Sequence, residues 1–348
     1  MKKIVKKNYV DFGPTLASEK LEENHRIKIS GETLRKLMIK WEYWKPKIRK
    51  KNKQYRSWRP RKEYYGEMEQ YDGSYHKWFE DRADECCLLA SIDDATGKMT
   101  AKFDYHEGVI PTFNFWREYV EEKGRPISIY LDKFSTYKIN HKSAEDNTEM
   151  ITQFERAMNS LDIRLITAHS PEAKGRVERL FGTLQDRLVK ELRLAKISDI
   201  QTANIFLKEV FIPKFNSKFS VVPEKKGDFH RKLAEKENLN RIFSIHKERM
   251  INNDFTVRFE SNWYQLDQVQ PMLVRKKEKV LIEKRVNESI QISLKDKYLN
   301  FSKLPEKPKK IIDLKIPALT RNLSSYKPPA NHPWRKPILI KKTNVVKM

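Results

Sequence analysis

The chain has 348 residues, 39% of them hydrophobic and 11% aromatic, which is enough apolar material for two or three small cores and excludes wholesale disorder. Its net charge of +24 is unevenly placed: residues 1–65 carry 20 Lys/Arg against 7 Asp/Glu, residues 306–348 carry 11 against 2, and the residues between carry 40 against 38. A near-neutral body with basic ends fits a polyanionic partner, nucleic acid first among them, since a general lysine bias would have charged the body as well.

In chain order, Gly13-Pro14 opens a short helix with Leu16, Ala17 and Leu21 on its apolar face. Ser30 caps a second, in which Leu34, Leu37 and Met38 repeat at helical spacing. Together, residues 1–44 read as a helix-turn-helix-like segment. Residues 45–65 are a basic linker whose stretch 45–62 holds ten Lys/Arg (Lys45, Lys47, Arg49, Lys50, Lys51, Lys53, Arg56, Arg59, Arg61 and Lys62) and no acid, with Tyr55 and Trp58 interleaved. Such a stretch cannot bury a core and suits contact with DNA phosphates.

From Gly66 the texture changes. EMEQYDGS reads as a strand, and ECCLLASID as a central strand buried on both faces. The adjacent Cys86 and Cys87 make neither a disulfide nor a zinc site and read as small strand residues in a reducing compartment. Asp94-Ala95-Thr96-Gly97 turns the chain into KMTAKFDYH, completing a meander. A helix to Gly124, the strand PISIYLD, a helix with Ile151, Phe154 and Met158 inward, and the strand IRLIT follow. Ser170-Pro171 opens a long helix to about Leu194, and a further helix covers about 198–212. The order β-β-β-α-β-α-β-α over 66–222 predicts an α/β layered domain with a mixed sheet. Short strands over 223–305 predict a small β-barrel, and 306–348 form a basic, Pro-rich tail. No run of 18 apolar residues occurs, so the chain reads as cytoplasmic, nucleoid-associated and without membrane contact.

Asp72 ends the first strand and Asp132 the fourth; if those strands are neighbours, the two carboxylates share one sheet edge. Glu178 lies on the long helix, where the small Ala173 and Gly175 would let the helix start approach the sheet. Three carboxylates in one shallow site repel unless divalent ions neutralise them, and hard oxygen ligands select Mg²⁺ or Mn²⁺. Two such ions would serve an in-line displacement at phosphorus.

The strings GEMEQYDGSYHKWFEDR, LLASIDDATGKMTAKF, IYLDKFSTYKIN, TQFERAMNSLDIRLITAHSPEAKGRVERLFGTLQDRLVKELRL and YKPPANHPWRK resemble the DDE transposases and retroviral-type integrases, most closely transposases of the ISNCY insertion-sequence family. The likeness runs over nearly the whole chain. It implies a ribonuclease H-like core with the first and fourth strands adjacent, and it places Asp72, Asp132 and Glu178 on the three metal-binding carboxylates. It further implies metal-dependent cleavage and strand transfer on double-stranded DNA at element ends, by a homo-multimer. Members of this group carry a further helix-turn-helix upstream of the segment YVDFGPTLASEKL, near which this chain starts.

Neighbouring residues have plainer readings. Asp93 and Asp94 suit a hairpin turn, Glu172 favours a helix N-terminus, and His76 and His169 read as incidental. Trp78 could stack on a base or cover the sheet. Lys174, Arg176 and Arg179 flank Glu178 and suit DNA backbone contact. Two other classes share these features: a catalytically silent DNA-end-binding regulator, and a structure-specific nuclease of the same fold.

Overall fold

The computed structural model describes residues 1–46, 60–132, 153–168, 175–234, 237–306 and 329–332. Its centre is a five-stranded sheet formed by β1 (Met68–His76), β2 (Cys86–Asp93), β3 (Met99–Asp104), β4 (Ser128–Asp132) and β5 (Arg164–Ala168), in the spatial order β3-β2-β1-β4-β5. Strands β1, β2 and β3 form the antiparallel meander, while β4 and β5 run parallel to β1. Parallel neighbours need a crossover of about a dozen residues or more. Here α4 (Val109–Lys123) lies between β3 and β4, and the helix over 153–160, α5, precedes β5. This is the mixed α/β sheet that the order of elements predicts.

Every residue of β2 is buried because helices cover both faces. On one face α6 (Gly175–Leu194) lays Val177, Leu184 and Leu188 against Trp78, Leu88, Ala90 and Phe103. On the other, Phe113 and Trp116 of α4 and Phe154 and Met158 of α5 pack on Tyr71 and Leu89. Burial pushes the thiols of Cys86 and Cys87 upward, to about 12 for Cys86, as inert strand residues require. The β3 edge is closed by side chains. Asn216 accepts from Met99 N at 2.8 Å and donates to Met99 O at 3.0 Å; Asn204 does the same at Phe103, at 2.7 and 3.0 Å. They come from α8 (Ile212–Phe219) and α7 (Ile200–Phe206), which a π-helical turn, Leu207–Phe211, joins into one helix that runs on past the end expected near residue 212.

The N-terminal segment has three helices rather than the two expected: α1 (Lys2–Asn8), α2 (Pro14–His25) and α3 (Gly31–Lys40). Pro14 opens α2, and Ser30 accepts from Thr33 N at 3.1 Å to cap α3. Val5, Tyr9, Phe12, Leu16, Leu21, Leu34 and Met38 form its core, with Leu194 of α6 packed against it. A seam of charge pairs joins this unit to the sheet domain. Arg187 holds Glu19 with two bonds of 2.7 and 2.9 Å, Lys20 meets Glu191 at 2.5 Å, and Asp11, Glu23 and Glu19 pair with Arg193, Lys214 and Lys218. Although burial opposes it, Arg187 and Lys218 hold the Glu19 carboxyl down to about 2.

The barrel expected over 223–305 is realised as two antiparallel sheets that share one core. Strands β6 (Ser244–Met250), β9 (Lys279–Arg285), β10 (Ile290–Leu294) and β11 (Lys297–Tyr298) form one; β7 (Thr256–Phe259), β8 (Asn262–Leu266) and β12 (Phe301–Leu304) form the other. Val257, Tyr264, Ile282 and Ile292 lie between them, and among the described residues no ladder closes them into a ring. This unit is anchored on α5. Arg156 donates to Ile242 O and Ser244 O at 2.9 and 2.6 Å, and Gln153 pairs with the main chain of His246. Among the described residues no helix is long and apolar enough to cross a membrane.

A buried acid pair crosses the sheet at Glu69↔Asp93. Tyr119 Oη donates to Glu69 Oε1 at 2.7 Å and lies 2.8 Å from His230 Nε2, tying the 228–231 loop to β1. Burial, with Asp93 close by, pushes the Glu69 carboxyl up to about 8. The folded form therefore binds a proton that the unfolded chain gives up near its ordinary value, and stability falls as pH rises from about 4.5 to about 8. Glu69→Gln is expected to raise the melting temperature relative to the parent at pH 8.5, with the difference closing toward pH 5; thermal unfolding at the two pH values checks this.

Candidate active site

Strands β1 and β4 pair in parallel at Met68↔Ser128, Glu69↔Ile129 and Gln70↔Tyr130. Asp72 and Asp132 each stand two residues beyond the last of these pairs, at the same height on neighbouring strands; Asp72 does not end its strand as expected, because β1 runs on to His76 in its ladder with β2, where Asp72 faces Ala90. Alternation along β1 sets the face. Tyr71 packs among the residues of α4 and α5, whereas Met68 packs with Tyr130, and Gln70 bonds the start of α6. Asp72 shares the parity of Met68 and Gln70. It is half-buried, and its Oδ1 accepts from Gly73 N at 3.0 Å.

Glu178 sits in the first turn of α6 and is exposed. The apolar stripe Val177, Leu180, Phe181, Leu184 and Leu188 faces the sheet, which leaves Glu178 on the flank of the helix. Two side-chain contacts fix α6 along β1: Val177 N donates to Gln70 Oε1 at 3.4 Å, and Gln185 Nε2 donates to Ser74 Oγ at 3.3 Å. Asp72 lies between those two strand positions. The side chain of Asp132 lies outside the described residues, as do Glu172, His169 and Lys174.

The other residues sort by burial. Asp93 is the turn residue expected: its Oδ2 accepts from Thr96 N and Thr96 Oγ1, both at 2.6 Å. Asp94 does more than turn the chain. Wholly buried, it accepts from Gln70 Nε2 and Arg176 Nη1, both at 2.7 Å, and from Lys62 N at 2.8 Å. Arg176 thus directs its guanidinium to Asp94, while Arg179 remains exposed. Gly175 is not what lets α6 approach the sheet. A Cβ there would meet only the Arg179 guanidinium, at 3.7 Å, and Ala173 lies outside the described residues. Gly73, by contrast, makes room: a Cβ would fall 2.8 Å from the Glu107 carboxylate and 3.2 Å from Cys87 Sγ. Glu107 is a neighbour of Asp72's strand that no sequence signal marks. Of the linker residues, Lys45 is exposed, Lys62 pairs with Glu67 at 2.9 Å, and Arg61 donates to the carbonyls of Asp94 and Ala95; the stretch from Lys47 to Arg59 lies outside the described residues.

No family model matches the chain. Among curated proteins it is similar to y4bF of Sinorhizobium fredii, named as a transposase, at 40% identity over 267 residues, covering 76% of this chain and 58% of that protein. It is also similar to the transposase for insertion sequence IS1202 of Streptococcus pneumoniae, at 29% identity, covering 96% of this chain and 79% of that one. The chain thus spans a little over half the length of the first relative. Among solved structures, the HTLV-2 integrase catalytic core domain in complex with magnesium matches with a TM-score of 0.31 at 18% identity, covering 41% of this chain and 82% of that one. A simian T-cell lymphotropic virus intasome in complex with a PP2A regulatory subunit matches with a TM-score of 0.37 at 14% identity, covering 73% of this chain and 86% of that one.

Trp78 covers the sheet. It is wholly buried, its Nε1 donates to Ser74 O at 3.1 Å, and its ring meets Phe103 edge-on at 5.8 Å. Trp78→Ala is expected to cost about 3–5 kcal/mol of stability in denaturant unfolding, the range for truncating a buried aromatic. A nearly unchanged midpoint would contradict the core role.

Proposed function

We propose that this relative of insertion-sequence transposases is itself a transposase, which cleaves DNA at the ends of its element and joins the freed 3′-hydroxyl to target DNA. The observation that supports the reading is the β1–β4 register, in which Asp72 and Asp132 are level on neighbouring strands, together with Glu178 in the first turn of α6, the helix bonded to β1 on either side of Asp72. The donor set is carboxylate oxygen throughout. Asp72 is partly accessible and Glu178 exposed, a chemistry that suits Mg²⁺ or Mn²⁺ with positions left for phosphate oxygens. A pair of such ions, when bound, supplies charge neutralisation and an activated attacking oxygen.

The chain's own residues do the rest by position. In this reading Asp72 and Asp132 hold level positions on the neighbouring strands β1 and β4, and α6 carries the third acid. Arg179 and Lys45 are placed to meet DNA backbone, together with the basic linker between residues 45 and 62. The chain divides, in this reading, into a DNA-binding helical segment at 1–44, a linker at 45–65, the catalytic domain at 66–222, a small β-domain at 223–305 and a basic tail at 306–348. Joining two ends to one target calls for a multimer on double-stranded DNA.

The test uses purified protein, Mn²⁺, a labelled duplex from the DNA flanking the gene, and a supercoiled plasmid. Joined product is expected, and Glu178→Gln is expected to lower joining by at least about 100-fold while leaving duplex binding intact. Cleavage without joining would make the protein a nuclease, and binding alone an end-binding regulator.

A further inference from the structure

We propose that Gln70 and Asp94 are positioning residues for the first turn of α6, and that through Asp94 the end of the basic linker is tied to the turn that carries Glu178. The proposal rests on the assignment of Glu178 as the third carboxylate. The first N–H groups of an α-helix have no partner within the helix, so outside acceptors decide where its first turn sits. Val177, immediately before Glu178, donates its N–H to Gln70 Oε1 in a long contact of 3.4 Å. Arg176, one residue earlier, reaches Asp94 Oδ1 at 2.7 Å, and Gln70 Nε2 donates to the same oxygen at 2.7 Å. Main chain and side chain of that turn therefore end on one bonded pair, Gln70–Asp94.

That pair is rigid. Both residues are wholly buried, Gln70 belongs to β1, and Asp94 N donates to Met68 O at 2.9 Å. Gln70 also lies two residues before Asp72 on the same strand face, so a single amide spaces the strand of the first carboxylate from the helix of the third. The other oxygen of Asp94 takes the linker: Oδ2 accepts from Lys62 N at 2.8 Å, and Arg61 donates to the Asp94 and Ala95 carbonyls at 3.4 and 3.2 Å. The acid that reads as a turn residue is thus shared by β1, α6 and the linker. Metal sites lose affinity when ligands shift by fractions of an ångström, and removing groups that orient ligands typically costs about 10–100-fold.

The test uses the full chain with Gln70→Ala, Asp94→Asn, Glu178→Gln and the double variant Gln70→Ala/Glu178→Gln. Hydrogen exchange is followed in metal-free protein, and Mn²⁺ affinity is read from the electron paramagnetic resonance of the free ion. Gln70→Ala and Asp94→Asn are expected to speed exchange of the α6 first turn by about tenfold or more, leave the C-terminal half of α6 unchanged, and weaken Mn²⁺ binding by about tenfold. Glu178→Gln should weaken Mn²⁺ binding without speeding exchange, and the double variant should bind Mn²⁺ like Glu178→Gln alone. Arg176→Gln, changed at the partly exposed end of the ion pair, carries the same expectation on exchange if Asp94→Asn fails to fold. Unchanged exchange in the first turn, or independent addition of the Gln70 and Glu178 effects, overturns the proposal. Faster exchange beside a Glu178→Gln variant with full Mn²⁺ affinity supports the positioning role and sinks the assignment of Glu178 instead.

Discussion

The parallel pairing of β1 with β4 is the constraint on which the rest of the structure depends. Three residue pairs, Met68↔Ser128 to Gln70↔Tyr130, align the starts of two strands that are 60 residues apart in the chain. Because side chains alternate with a period of two, a slip of one residue would turn Asp72 to the α4 face and Tyr71 out of its core. Burial of Tyr71 on one side and Met68 on the other therefore locks the register. Asp72 inherits its face from apolar residues that do no chemistry.

Helix α6 is the second shared part. Its apolar stripe packs on β2 and β3, its first turn meets Gln70 and Asp94, and its C-terminal half carries the N-terminal unit through Arg187, Glu191 and Arg193. Ion pairs on open surfaces contribute little, but the Glu19–Arg187 pair is bidentate and mostly sheltered, which gives it direction as well as energy. One rigid element so connects the candidate active site with the helical unit proposed to engage DNA. The β-domain is attached differently, by Arg156 and Gln153 of α5 to the main chain near β6.

Much of this was legible in the residues. The unbroken apolar run of Cys86–Ile92 announces a strand covered on both faces, and the Asp94–Gly97 turn into KMTAKFDYH the third strand of a meander. Gly13-Pro14 and Ser30 mark helix starts that the structure keeps. The first helix was missed because KKIVKKN offers only Ile4 and Val5 as apolar residues, too few for a periodic signal. Short strands show their own alternation but not their partners, so the pattern over 223–305 could not separate a closed barrel from two sheets on one core. Asp94 hid behind Asp93: one acid is enough to explain an Asp-Ala-Thr-Gly turn, and its bonds to Lys62, Gln70 and Arg176 span separations that local spacing does not encode.

The central claim is that Asp72, Asp132 and Glu178 form one metal-binding centre. Its most direct measurement is the anomalous scattering of crystals grown with Mn²⁺. The account predicts Mn²⁺ density within about 2.0–2.3 Å of carboxylate oxygens from all three residues. Ordered Mn²⁺ bound elsewhere, or at Asp72 and Asp132 with Glu178 turned away, would contradict it.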